Sequence, residues 1–245
     1  MKYPYNKIIS DSYASSDFAR RHQILKTIPF FASLTEEELW EMASQMTTKK
    51  VKKNQVVLFE EDTQNYMYVI YSGKVRVVQI NEEGREQILT IHKKKDYFGE
   101  MALLDGKTSP ATIIAMEESE IGLLGRDDFY RFIETNSNMR KQIISTLCTE
   151  LREAWMMVRI MSYDNAEQRI LGVFDRLKDL YGVTDQRGVI ISLKLTHSQI
   201  ANYASVTRET VTRTLKKLEC NGAIQMQENK CILLRNPLLS GDGRR

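Results

Sequence analysis

The chain has 245 residues, enough for one large or two modest domains with real cores, and its 42% hydrophobic and 27% charged content is that of an ordinary globular protein. A formal net charge of +3 permits nucleic-acid binding without requiring it. No apolar run approaches the roughly 18 residues needed to span a bilayer and the N-terminus has no signal-like apolar core, so no membrane contact and a cytoplasmic location are expected.

In chain order, residues 1–22 are polar, punctuated by aromatics and serines, and read as a poorly ordered N-terminal extension. Ile24 to Met46 predicts a short helical pair. Pro29-Phe30-Phe31 marks a bend, and Ser33-Leu-Thr-Glu-Glu-Glu starts a helix with acidic residues where the dipole favours them. Tyr66 to Ile70, Lys74 to Ile80 and Gln87 to Ile91 are short β-rich runs. They are separated by Ser72-Gly73 and Asn81-Glu-Glu-Gly84, and strands joined this tightly predict an antiparallel β-roll. Thr112 to Met116 and Ser119 to Leu124 add two strands before helical spacing resumes at Arg126.

Ile144, Leu147, Leu151, Ala154, Val158 and Met161 recur three and four apart, the a/d pattern of a coiled-coil seam, and predict a homodimer interface on a long helix. The break at Tyr163 to Asn165 is the expected domain boundary and hinge. Asn165-Ala-Glu-Gln168 caps a further helix running to about Tyr181.

Residues 195–219 lay out two short amphipathic helices. Thr196 caps the first, with Gln199 completing a capping box; after a break at Ala204-Ser205-Val206, Thr207 caps the second. Val211, Leu215 and Leu218 face inward, leaving Arg208, Glu209, Thr212 and Arg213 outward at the end of a helix that, in a helix-turn-helix, enters the major groove. Arg presents a fork of donors to guanine O6 and N7, and Glu accepts from cytosine N4. Thr196, Ser198, Thr207, Thr210, Thr212 and Lys216 complete the candidate DNA-binding set. Asn221-Gly222, two β-rich runs and a Glu-Asn-Lys turn between them read as a wing.

This segment resembles the DNA-binding domain of the cyclic AMP receptor protein and fumarate-nitrate regulator (CRP/FNR) family of bacterial transcription factors. The resemblance lies in the run Arg208-Glu209-Thr210-Val211 with Arg213, and it implies readout of a TGTGA-like half-site. Across about Gln23 to Pro237 the chain resembles the same family. The implied α+β architecture is a cyclic-nucleotide-binding-like β-roll sensor over 23–136, a dimerisation helix and hinge over 137–164, a winged helix-turn-helix over 165–237 and a tail over 238–245.

Within the sensor, Asp96 to Thr112 resembles the family's phosphate-binding cassette, and Gly99, Glu100, Met101, Ala102, Lys107, Ser109 and Ala111 are the candidate effector-pocket residues. Gly99 and Glu100 match it. The phosphate-binding Arg and the Ser beside it are replaced by Ser109 and Pro110, which removes a cation and puts a ring where an N–H would donate. Ala154-Trp155 stands where cyclic AMP receptors place a Thr-Ser pair. Cyclic AMP is therefore not the expected effector; the alternative is a cyclic-nucleotide-dependent regulator in which Lys107 holds the phosphate.

An iron–sulfur cluster of the oxygen-sensing type needs four thiolates, and Cys148, Cys220 and Cys231 are three, none before residue 148. Odd in number and scattered, they predict free thiols. Haem needs an axial ligand, and of His22, His92 and His197 only His92 lies near the β-roll; haem is not expected. No metal-ligand spacing, P-loop or nucleophile–base constellation points to an enzyme. The expected partners are double-stranded DNA, a second copy of the chain and, for an activator, RNA polymerase.

Overall fold

The computed structural model describes residues 16–227 and 231–235. The extension before residue 16, the wing turn at 228–230 and the 238–245 tail lie outside the described residues. The chain divides into two compact units, 1–79 with 89–151 and 80–88 with 152–245. This division falls inside a helix, between Leu151 and Arg152.

The first unit opens with α1, Ser16–Lys26, where a poorly ordered stretch was expected as far as residue 22. The reason lies in three positions at helical spacing, Phe18, His22 and Leu25, all buried. His22 stacks flat on Trp40 at 3.8 Å and meets Glu36 at 3.1 Å, so an imidazole does work that an aliphatic side chain would advertise more plainly. A 3₁₀ turn at Pro29–Phe31 and α2, Glu36–Gln45, follow as expected, α2 beginning with a complete Thr35–Glu38 capping box.

Eight strands form the β-roll: β1 Thr47–Val51, β2 Val56–Leu58, β3 Tyr66–Ser72, β4 Lys74–Ile80, β5 Glu86–Lys93, β6 Tyr97–Phe98, β7 Thr112–Ala115 and β8 Ser119–Gly125. They make two four-stranded sheets, ordered β1-β8-β3-β6 and β2-β7-β4-β5. β1, β2 and β6 had no sequence signal. β1 reads Thr-Thr-Lys-Lys-Val, a solvated edge strand with only Val51 buried, yet all five residues pair with β8. One apolar cluster fills the roll around Tyr68, Ile70, Phe98 and Ile121. A second packs α1 and α2 under Met67, Val69 and Phe129.

Helix α3, Glu100–Asp105, follows β6; α4, Arg126–Thr135, follows β8; α5 then runs continuously over Ser137–Met161. In the second unit, Asn165 caps α6, Ala166–Tyr181, by accepting from the Gln168 N–H at 2.8 Å. Strands β9 Gly182–Asp185 and β10 Gly188–Ile191 follow, then α7 His197–Ala204, α8 Arg208–Cys220, β11 Ile224–Met226 and β12 Ile232–Arg235. The four strands form one antiparallel sheet ordered β11-β12-β10-β9, so the wing has two strands more than the sequence advertised.

Candidate nucleic-acid interface and sensor site

The helix pair is fixed by its caps. At α7 the Gln199 N–H donates to Thr196 Oγ1 at 3.2 Å while Gln199 Oε1 accepts from the Thr196 N–H at 2.9 Å. Ser205 closes α7 in the left-handed conformation, φ 51°, and Arg169 of α6 holds its carbonyl at 3.2 Å. Thr207 Oγ1 then accepts from the Thr210 N–H at 3.2 Å and opens α8. Replacing Thr207 by alanine is expected to cost about 1 kcal/mol through the lost cap, seen as a lower urea midpoint with unchanged slope.

Val211, Thr214, Leu215 and Leu218 turn α8 onto the core, Thr214 being the one inward residue that sequence spacing missed. Arg208, Glu209, Thr212, Arg213 and Lys216 are exposed on the other side. No hydrogen bond or ion pair among the described residues engages the side chains of Arg208, Glu209, Arg213 or Lys216. Lys217, one residue on, is occupied instead by Glu167 at 2.7 Å. Thr196 and Ser198 are exposed at the start of α7, whereas Thr210 is half-buried with its hydroxyl on Thr207.

His197 was not among the sequence candidates and proves central to the surface. Thr212 donates its hydroxyl to the Arg208 carbonyl at 3.0 Å, so its oxygen accepts from His197 Nδ1 at 2.9 Å. This bond ties the start of α7 to the first turn of α8. A groove lined by Leu195, Thr196, His197, Ser198, Arg208 and Met226 opens beside it.

The sensor candidates divide. Gly99 is left-handed at φ 93°, and a Cβ there would lie 2.4 Å from Gln64 Nε2, so only glycine fits. Glu100, Ala102, Ser109 and Ala111 are buried, while Met101 is exposed. Ser109 spends its groups inside its own loop: its N–H donates to the Asp62 carbonyl, its carbonyl accepts from the Glu61 N–H, and its hydroxyl donates to the Ala111 carbonyl at 2.8 Å. The Lys107 side chain is 81% exposed, with its ammonium 4.0 Å from Asp105. Burial, with Glu150 of α5 beside it, pushes the Glu100 carboxyl up to about 8. Burial pulls His92 down against the opposing pull of Asp96, and its ring lies 6.0 Å from that of Phe98.

On α5 the expected seam residues divide. Ile144, Leu151 and Val158 are exposed, each seven residues from the next, and Ala154 and Trp155 are exposed between them. Leu147 packs instead on the α1–α2 core with Ile143, and Met161 is half-buried. A straight helix at 3.6 residues per turn carries position 147 round to the β-roll side, and Trp155 takes up the outward stripe. Cys148 and Cys220 are exposed free thiols and Cys231 a buried one.

Residues 48–136 match a cyclic nucleotide-binding domain and residues 168–238 a Crp-like helix-turn-helix domain. The chain is similar to the cyclic AMP receptor protein of Thermus thermophilus, 27% identical over 82% of this chain and 90% of that one. It is also similar to the anaerobic regulatory protein of Haemophilus influenzae, 28% identical over 82% and 77%. Among solved structures, FixK2 of Bradyrhizobium japonicum shares the fold at a TM-score of 0.71 and 22% identity, over 82% of this chain and 98% of that one.

Proposed function

Since the chain belongs to the CRP/FNR family of bacterial transcription regulators, we propose that it works as a two-fold dimer reading a palindromic operator with TGTGA-like half-sites. It is a DNA-binding regulator. The observation that carries it is the first turn of α8, where Arg208, Glu209 and Arg213 stand exposed with no side-chain partner on a helix fixed by Thr207 and by the His197–Thr212 bond. Arg208 and Arg213 address guanine and Glu209 cytosine, while Ser198 and Lys216 contact phosphates; the Thr196 and Thr212 hydroxyls already donate to Gln199 Oε1 and to the Arg208 carbonyl and hold the helix starts in place. His197 orients Thr212.

Two-fold readout needs recognition helices about 34 Å apart, one turn of B-DNA, and the exposed stripe of α5 supplies the surface for pairing. The proposed site of action is the cytoplasm, with RNA polymerase as a further partner if the regulator activates. No helix is long and apolar enough to cross a membrane among the described residues. The protein acts by binding and not by catalysis.

The test is fluorescence anisotropy on a TGTGA-N6-TCACA duplex and a scrambled duplex at one stated salt concentration, with and without saturating cyclic AMP. Tight specific binding without nucleotide is expected. Arg208→Ala should weaken it by about 1–3 kcal/mol and relax preference at one base pair. Equal loss on both duplexes would make Arg208 a phosphate contact. Specific binding only with cyclic AMP would restore Lys107 as the phosphate holder, against the solvent-facing position of its ammonium.

A further inference from the structure

We propose that Glu100 and Glu150 form the sensing element of the first unit, a buried and a half-buried carboxyl that together take up one positive charge, as a proton or the ammonium of a small amine. It would not accept the anionic phosphate of a cyclic nucleotide. This rests on reading that unit as the sensor of the regulator.

The geometry starts at β6. Tyr97 donates its hydroxyl to Thr146 Oγ1 of α5 at 2.7 Å, pinning strand to helix. Three residues after Tyr97 comes Glu100; four after Thr146, on the same helix face, comes Glu150. Glu100 is only 4% exposed, and its Oε2 has no hydrogen-bond partner among the described residues. Beside it lies a second unfilled group: Gln64 is 1% exposed, packs against Gly99, and finds no partner among the described residues for either side-chain amide atom. Buried polar atoms left unpaired cost stability, and a charged carboxylate costs most, so the site stands ready for a donor.

Among the described residues no ion pair reaches Glu100. Glu150 on α5 and Tyr97 on β6 act on it, and the cation in this cluster, Arg126 of α4, is turned to Gln64. Arg126 donates to the Gln64 carbonyl and Tyr130 to the Leu103 carbonyl. The charge acting on Glu100 is that of Glu150, which repels; burial raises Glu150 as well. Among the described residues no group of three or more His, Cys, Asp or Glu could hold a metal ion. The site therefore suits a single charge over a coordinated cation. Without that charge two carboxylates repel across the strand–helix contact.

The sign follows from linkage. Unfolded, Glu100 titrates near about 4.3; folded, it holds its proton up to about 8. Through that window the folded state keeps a proton that the unfolded state has lost, so stability falls as pH rises and levels off above it.

The experiment is thermal melting of the full chain from pH 5 to 8.5 at fixed ionic strength, in the wild type, Glu100→Gln and Glu150→Gln. A second set at pH 8 adds methylamine or cyclic AMP. The wild type should lose several degrees across the range, Glu150→Gln less, and Glu100→Gln least, with Glu150→Gln melting above the wild type at pH 8. A methylamine-induced rise that Glu150→Gln abolishes assigns the charge to an amine; the pH slope without it assigns the charge to a proton. Parallel slopes in all three proteins, or a rise with cyclic AMP alone, would overturn the proposal. Melting uses no DNA, so this outcome stands apart from that of the operator experiment.

Discussion

Leu151→Glu combined with Val158→Glu is expected to give a monomer by light scattering at micromolar concentration and to lower specific operator affinity at least about 100-fold. Both side chains are exposed in the single chain, Val158 at 69%, seven residues apart on α5 with Ile144 one heptad before and Trp155 between. A helix that leaves such a stripe in water has somewhere else to bury it, and each Leu or Val so buried contributes about 1.5–3 kcal/mol. Pairing around a two-fold axis buries each twice. Glutamates would instead face their symmetry mates, opposing like charges in place of apolar contact. Because neither residue belongs to the cores of the single chain, the sensor unit of the double variant should melt normally. Leu147→Glu makes the contrast, since Leu147 packs on the α1–α2 core and its change should unfold that unit whatever the oligomeric state. A dimeric mass for the double variant would sink the pairing surface.

The difference between Leu147 and Leu151 marks where sequence reading stopped. Local signals were legible because local physics makes them: the Thr196–Gln199 box, the caps at Thr207 and Asn165, the hairpin turn at Ser72-Gly73 and the glycine at 99 each act within a few residues. The outward set on α8 followed from three apolar residues at helical spacing. What escaped depends on partners distant in the chain. β1 is lysine-rich and exists because β8 offers it a ladder about seventy residues away. α1 is held by His22 on Trp40, a contact that no hydrophobic pattern announces. His197 gains its place only once Thr212 is fifteen residues on and 2.9 Å away. Glu150 is one charge among many on a long helix, and only the fold brings Tyr97 and Glu100 to bear on it.

Glu153 and Arg176 are the other pair that sequence could not join, and they carry the largest expected loss of stability. Arg176 of α6 is 4% exposed, and its Nε lies 3.0 Å from Glu153 Oε2 on the second half of α5. The Tyr203 hydroxyl of α7 is buried nearby with no hydrogen-bond partner; burial pushes it up to about 12, with Arg176 pulling the other way and Glu153 adding to the rise. Three helices thus meet at one guanidinium. Removing one member of a buried ion pair costs about 3–5 kcal/mol because the other charge is stranded. The two halves are unequal: Glu153 keeps a third of its side chain in water and Arg176 almost none. Glu153→Ala takes the carboxylate from the deeper charge and should cost more; Arg176→Ala leaves a carboxylate that water can still solvate and should cost less. A double variant carrying leucine at 176 and alanine at 153 should recover part of the loss, since no charge then remains to desolvate. Calorimetry of the three proteins decides it: equal losses in the two single variants, or a double variant as unstable as their sum, would mean that the pair acts by packing and not by charge.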